Sequence, residues 1–212
     1  RHPLVVLSPG FGFHRHTLTG LAEELASHGY VVAAVDHAYE SAGTTFPGGR
    51  VLTCAACAAD TARGSRVANG RARDVAFLLD RLTGNRPAWR HAELIDPNRV
   101  GMAGHSIGGS AAGAAMVADP RVLAGVNMDG SADGGFHAPL PEGGLDERPF
   151  LLLGSEQAHR SGETWEREWP KLDGWRRWLI VNGTAHIDLS DASVLVDQLG
   201  LQDPDSPLSG AR

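Results

Sequence analysis

The stretch Arg99-Val100-Gly101-Met102-Ala103-Gly104-His105-Ser106-Ile107-Gly108-Gly109-Ser110-Ala111-Ala112-Gly113-Ala114-Ala115-Met116-Val117-Ala118 decides the fold. An apolar run enters the pentapeptide Gly104-His105-Ser106-Ile107-Gly108, and a helical run of small residues leaves it. This is the order of a nucleophile elbow: strand, sharp turn with a serine at its apex, helix. The turn forces the serine into a strained backbone conformation, and a side chain two positions away on either side would collide with neighbouring backbone. Glycine at 104 and 108 removes that collision. In a chain with 27 glycines the pentapeptide alone would carry little weight; its strand and helix flanks make Ser106 a nucleophile candidate rather than an ordinary turn residue.

Outward from the elbow, strands and helices alternate. Leu4 to Ser8 is an apolar run that enters the Gly-rich turn Pro9-Gly10-Phe11-Gly12-Phe13. Leu18, Leu21, Ala22 and Leu25 then fall at helical spacing before Gly29, and Tyr30 to Val35 reads as a β-branched strand. Residues 41–69 show no clear period and are expected to cross the top of the sheet as a lid or wall. Val75, Leu78, Leu79 and Leu82 mark a helix ending at Gly84. After the elbow helix come strands over Val122 to Met128, Phe150 to Leu153 and Trp175 to Val181, with an amphipathic helix expected around Trp165 to Leu172 and another from about Ser190. Six strands alternating with helices predict an α/β fold, a mostly parallel sheet with helices on both faces. Residues 1–201 are expected to form one domain, followed by a polar tail over 202–212 whose Pro204, Pro207 and Gly210 argue against packing.

Composition excludes several classes. A net charge of −6 and no basic stripe argue against a nucleic-acid partner. No stretch reaches the roughly 20 apolar residues that a membrane-spanning helix requires. Residue 1 already reads as strand, so any signal peptide or pro-segment is expected to have been removed. The two cysteines, Cys54 and Cys57, cannot build a structural zinc site alone, and their Gly/Pro/Thr-rich setting favours incidental thiols or a local disulfide over redox catalysis. A disulfide would tilt the compartment from cytoplasmic to exported. No His/Cys/Asp spacing suggests a metal site, and no cofactor is expected.

A serine nucleophile needs a base and an acid, in the chain order Ser, acid, His. Of ten histidines only His137, His159 and His186 lie well downstream of Ser106. His186 follows the last strand and precedes a helix, at the edge of the sheet where the serine stands, and is the favoured base. His159 reads as a rim residue and His137 as a loop residue. His105, beside the serine on a strained turn, is expected to pack or hydrogen-bond. For the acid, Glu156 after the penultimate strand competes with Asp129, which ends the strand Val122 to Met128 beside Gly130. The residues favour Asp129 modestly. Asp188 and Asp191 read as caps.

Five segments together resemble a known family: Pro9 to Arg15, Leu25 to His37, Gly104 to Gly109, Gly125 to Gly130, and Ala185 to Asp191. They look like the platelet-activating-factor acetylhydrolase-like branch of the α/β-hydrolases, with its bacterial esterase and lipase relatives. The resemblance runs over most of residues 4–191. It implies an acid on the strand after the elbow unit, hence Asp129, and demotes Glu156. That branch normally carries strands before the one at Leu4 and a longer C-terminal helical segment, so an N-terminally trimmed sheet is expected.

A developing oxyanion needs fixed donors. The backbone N–H of Ile107 and that of Phe11, in the first Gly-rich turn, are the candidates. A phosphate cradle is the other reading of Pro9 to Gly12, but Phe13-His14-Arg15 lacks the Lys and Ser/Thr such a loop needs. Phe11, Phe13, Phe46, Phe136 and the cluster Trp165, Trp169, Trp175 and Trp178 could wall an acyl pocket, although aromatics at this spacing are more often core. The expected activity is hydrolysis of a small carboxylic ester, short-acyl or phospholipid-like, with lipase or polyester hydrolase as the alternative within the fold and a non-catalytic binding module as the alternative class.

Overall fold

The computed structural model describes residues 1–58, 64–130, 139–160 and 165–201. His137, Phe136 and the tail 202–212 lie outside the described residues. A six-stranded sheet forms the centre, in the order β2 (Val31–Ala34), β1 (His2–Ser8), β5 (Ile95–His105), β6 (Val122–Met128), β7 (Phe150–Ser155) and β8 (Arg176–Val181). Every neighbouring pair is parallel. A small antiparallel pair, β3 (Thr44–Thr45) with β4 (Val51–Leu52), stands apart.

Side chains of a strand alternate between faces, and here the alternation builds two cores. On β1, Leu4 and Val6 enter one apolar cluster, whereas Val5 and Leu7 belong to the other. Helices α2 (Gly64–Thr83) and α3 (Ile107–Ala118) supply Ala68, Val75, Leu79, Ala111 and Met116 to the first. Helix α1 (Thr19–Ser27) packs Leu21, Ala22 and Leu25 on the second. The short helices α4 (Glu156–Arg160) and α5 (Ala192–Gln198) follow β7 and the last loop; α5 is tied to α1, since the Gly20 N–H donates to Asp191 Oδ2. The chain is thus an α/β fold with helices on both faces of a parallel sheet.

Two elements depart from the sequence reading. Helix α2 begins at Gly64, inside the segment expected as an irregular connection. Its period was hidden because Arg71, a charged residue, occupies a buried position between Ala68 and Val75 on the apolar stripe. Conversely, Trp165 to Leu172 forms turns and a 3-10 helix at Trp169–Lys171 rather than an amphipathic helix. Pro170 lacks the N–H a helix interior requires, so Trp165, Trp169 and Leu172 reach the core from tighter turns. Trp165 and Trp169 pack against Trp178 with ring centroids 5.6 and 5.9 Å apart and join the core. Trp175 is exposed. Cys54 and Cys57 form a disulfide.

The strand order reverses between β1 and β5: the chain steps outward from β1 to β2, then returns to the other side of β1. Ligands of open parallel sheets bind beyond the carboxyl ends of the strands at such a reversal. Register places Ser8 opposite Gly104, and His105 opposite Met128. The Pro9 turn, Ser106 and Asp129 therefore emerge side by side.

Candidate active site

Ser106 links β5 to α3 with φ 57° and ψ −127°. A non-glycine residue at positive φ with that ψ is strained and persists only where its surroundings enforce it. They do so here through close backbone contact. A Cβ added at Gly104 would lie 2.3 Å from the Gly108 carbonyl, and one at Gly108 would lie 2.0 Å from the Ser8 carbonyl oxygen. The Ser106 N–H donates to Met128 O at 2.8 Å, tying the elbow to β6.

Asp129 also has positive φ, 58°, which turns its carboxylate off the end of β6. The turn is stapled by the Asn127 side chain, whose Oδ1 accepts from the Gly130 N–H at 2.6 Å while its amide donates to Gly130 O at 3.1 Å. The Trp165 indole N–H donates to the same carbonyl. Asp129 Oδ1 accepts from the Ser155 N–H at 2.7 Å, and Oδ2 accepts from the Ser155 hydroxyl at 2.8 Å. His186 Nδ1 stands 2.7 Å from the same Oδ2. Burial alone would raise the Asp129 pKa; the hydrogen bonds from His186 and Ser155 outweigh it and hold the carboxyl below its ordinary value. A buried carboxylate facing Nδ1 fixes the imidazole with its proton on Nδ1 and leaves Nε2 as the basic nitrogen.

The alternative acid, Glu156, does not reach the His186 ring. Its Oε2 accepts from the Gly183 N–H at 2.7 Å and its Oε1 pairs with Arg160, so it braces the loop leading to His186. The last helix is the expected place for Asp188 and Asp191 as caps; instead Asp188 accepts from the Ala185 N–H at the start of the 3-10 turn His186–Leu189, and Asp191, although it precedes α5, accepts from the Gly20 N–H of α1 without a side-chain capping bond to α5. His159 packs edge-on against Trp178, 6.2 Å between centroids and away from the serine turn. His105 is fully buried, lies 2.8 Å from the His186 carbonyl through Nε2, and has its ring tilted against the His186 ring.

Ile107 opens α3, where the first backbone N–H groups have no intrahelical acceptor. Phe11 lies in the turn after β1. That turn is fixed by the Phe13 N–H donating to Gly10 O and the Gly12 N–H donating to Glu40 O at 2.9 Å. A Cβ on Gly10 would lie 3.1 Å from His105 Nδ1, so this turn and the elbow are in contact.

Two contributors were missed in the sequence: Ser155, which donates to the Asp129 carboxylate, and Arg71, which donates to the Pro9 carbonyl. Ser155 gave no signal apart from its place at a strand end. Arg71 did give one, being a charge on the apolar face of a helix.

The sequence model for platelet-activating factor acetylhydrolase, isoform II, matches residues 1–50. A probable 1-alkyl-2-acetylglycerophosphocholine esterase of Arthroderma benhamiae is 28% identical over 208 residues, 95% of this chain and 51% of that protein. The platelet-activating factor acetylhydrolase of Cavia porcellus is 24% identical, over 90% of this chain and 49% of its own length. The solved structure of a ferulic acid esterase from Streptomyces cinnamoneus superposes with a TM-score of 0.84 at 45% identity, over 99% of this chain and 60% of that one. This chain has the α/β-hydrolase fold and is similar in sequence to platelet-activating factor acetylhydrolases. It spans about half the length of the curated relatives it matches. A dienelactone hydrolase from Anabaena variabilis shares the fold of this α/β-hydrolase at 20% identity and a TM-score of 0.62.

Proposed function

We propose that this α/β-hydrolase cleaves small carboxylic esters through Ser106, His186 and Asp129, by way of an acyl-enzyme. The observation that carries the reading is the 2.7 Å contact between His186 Nδ1 and the buried Asp129 carboxylate, beside a serine held at positive φ. His186 Nε2 takes the Ser106 proton as Oγ attacks the ester carbonyl. Asp129 keeps the proton on Nδ1 and stabilises the imidazolium. The backbone N–H groups of Ile107 and Phe11 receive the oxyanion, and the imidazolium protonates the departing alcohol. Water, deprotonated by the same imidazole, then releases the acid. Every step is assigned to protein groups, so chelation is expected to leave the rate unchanged.

The substrate class is an ester of a compact acyl group. The relatives' names supply two test cases, an acetylated ether phospholipid and a ferulate ester. The experiment compares hydrolysis of p-nitrophenyl acetate, methyl ferulate and a 2-acetyl ether phospholipid, with and without a fluorophosphonate that should label Ser106. Hydrolysis abolished by labelling supports the reading. A chain that neither labels nor hydrolyses any of the three is a binding module that uses the fold.

A further inference from the structure

Strand β1 ends at Ser8 and is followed by Pro9, and polar atoms of both lie against one buried guanidinium. Arg71 is 1% exposed. Its Nη1 donates to the Pro9 carbonyl at 2.5 Å and to Ser8 Oγ at 3.0 Å. Its Nε and Nη2 donate to Glu40 Oε2 at 2.8 and 2.7 Å. Ser8 Oγ lies 3.0 Å from His37 Nε2, and His37 Nδ1 lies 2.7 Å from Asp74 Oδ2.

The protons of this network can be assigned. A guanidinium only donates and a carboxylate only accepts, so Ser8 accepts from Arg71 and His37 Nδ1 donates to Asp74; on a neutral ring Nε2 then accepts the hydrogen bond of the Ser8 hydroxyl. Burial lowers the His37 pKa, consistent with that form. Ser8, His37 and Asp74 thus repeat the order of a catalytic triad, but Ser8 is fully buried and His37 nearly so, which closes them to substrate. The network runs from the exposed Asp74 carboxylate inward to Arg71 and Pro9.

Proline has no N–H, so its carbonyl is the one main-chain polar group that can anchor it. That carbonyl is held by Arg71. Three residues later the Gly12 N–H donates to the main-chain oxygen of Glu40, whose carboxylate grips the same guanidinium. Both ends of the turn are therefore fastened to the Arg71–Glu40 ion pair, with Phe11 between them.

We propose that Arg71 is a positioning residue for ester cleavage, setting the Phe11 N–H at the oxyanion through the Pro9 carbonyl and Glu40. The inference rests on the hydrolase reading above. Donors to an oxyanion act only when correctly placed, and a displacement of about 1 Å can cost about 100-fold in rate. Lysine cannot replace the arginine, because one ammonium cannot span Pro9, Ser8 and Glu40 in the planar geometry of the guanidinium.

The test compares wild type, Arg71→Lys and Glu40→Gln. Thermal unfolding, kcat and KM on p-nitrophenyl acetate, and inhibition by a phenylboronic acid, whose serine adduct carries a tetrahedral anion, are measured for each. For Arg71→Lys, kcat should fall about 10- to 100-fold with KM within about twofold, and boronate affinity should fall in parallel. Glu40→Gln, which keeps the volume and removes the charge, should show a smaller parallel fall and decides the matter if Arg71→Lys does not fold. Lowered unfolding temperatures with kcat and boronate affinity unchanged, or a change confined to KM, would overturn the role. A wild-type protein that neither hydrolyses the ester nor is labelled at Ser106 overturns the hydrolase reading as well; an active wild type with unaffected variants overturns only the part given to Arg71.

Discussion

His105 Nε2 lies 2.8 Å from the main-chain carbonyl of His186, and the two imidazole rings stand 4.6 Å apart. The residue beside the elbow serine thus holds the backbone of the residue that would activate that serine. A carbonyl accepts only, so His105 carries its proton on Nε2. Its pKa is lowered to about 4, first by burial and then by the neighbouring His186, against the raising effect of the carbonyl bond.

This makes stability pH-dependent in a defined sense. An unfolded imidazole takes its proton near 6.5, whereas buried His105 resists until about 4. Between those values the unfolded chain binds more protons, so stability is complete above about 6.5 and falls as the pH drops toward 4, by roughly 3 kcal/mol from this residue. His37, with its pKa also lowered by burial, acts in the same direction. Urea unfolding of wild type at pH 7.5 and 4.5 should show the loss, and His105→Phe should show a shallower one. Equal losses in the two proteins would refute the assignment.

Ser106→Ala should fold and lose ester hydrolysis by about 10⁴-fold or more, as expected for one member of a unit that acts together. Intact-mass analysis after fluorophosphonate treatment should place the adduct on Ser106. An adduct elsewhere, or activity near wild type in the alanine variant, would remove the nucleophile role.

Asp129→Asn should lower kcat by about 10³- to 10⁴-fold, because an amide that donates toward Nδ1 favours the wrong imidazole tautomer. Glu156→Gln should change kcat by less than about threefold, since glutamine still accepts from the Gly183 N–H and that contact braces a loop only. Ser155→Ala removes one of the bonds to the Asp129 carboxylate and should fall between the two. The ranking of the three kcat values is the measurement; a crippled Glu156 variant beside an active Asp129 variant would reverse the assignment.

Gly108→Ala should destabilise the fold by roughly 2–4 kcal/mol, as severe overpacking against immobile atoms does. The added Cβ would meet the Ser8 carbonyl oxygen at 2.0 Å and the Pro9 oxygen at 2.9 Å, both backbone. Gly143→Ala, where no atom lies within 4 Å of the added carbon, serves as the control and should unfold within about 0.5 kcal/mol of wild type. Similar midpoints for the two variants in denaturant titration would contradict the close packing of the elbow on β1.

The amino-acid sequence by itself determined the alternation of strands and helices, the elbow at Ser106 and the placement of His186 after the last strand. These are local: an apolar run, a pair of glycines and a chain position specify them without reference to the rest of the molecule. The choice between Asp129 and Glu156 stayed open in the residues alone. Only the tertiary structure decided which carboxylate faces the His186 ring, because that depends on the parallel register of β6 and β7 and on the positive φ at Asp129. The helix expected around Trp165 failed for a related reason: apolar spacing records which side chains are buried, and turns around Pro170 bury them as well. Arg71 marks the far limit of sequence reading. Its partners Ser8, Pro9 and Glu40 lie 63, 62 and 31 residues away, and a buried cation is intelligible only once the fold has brought its acceptors to it.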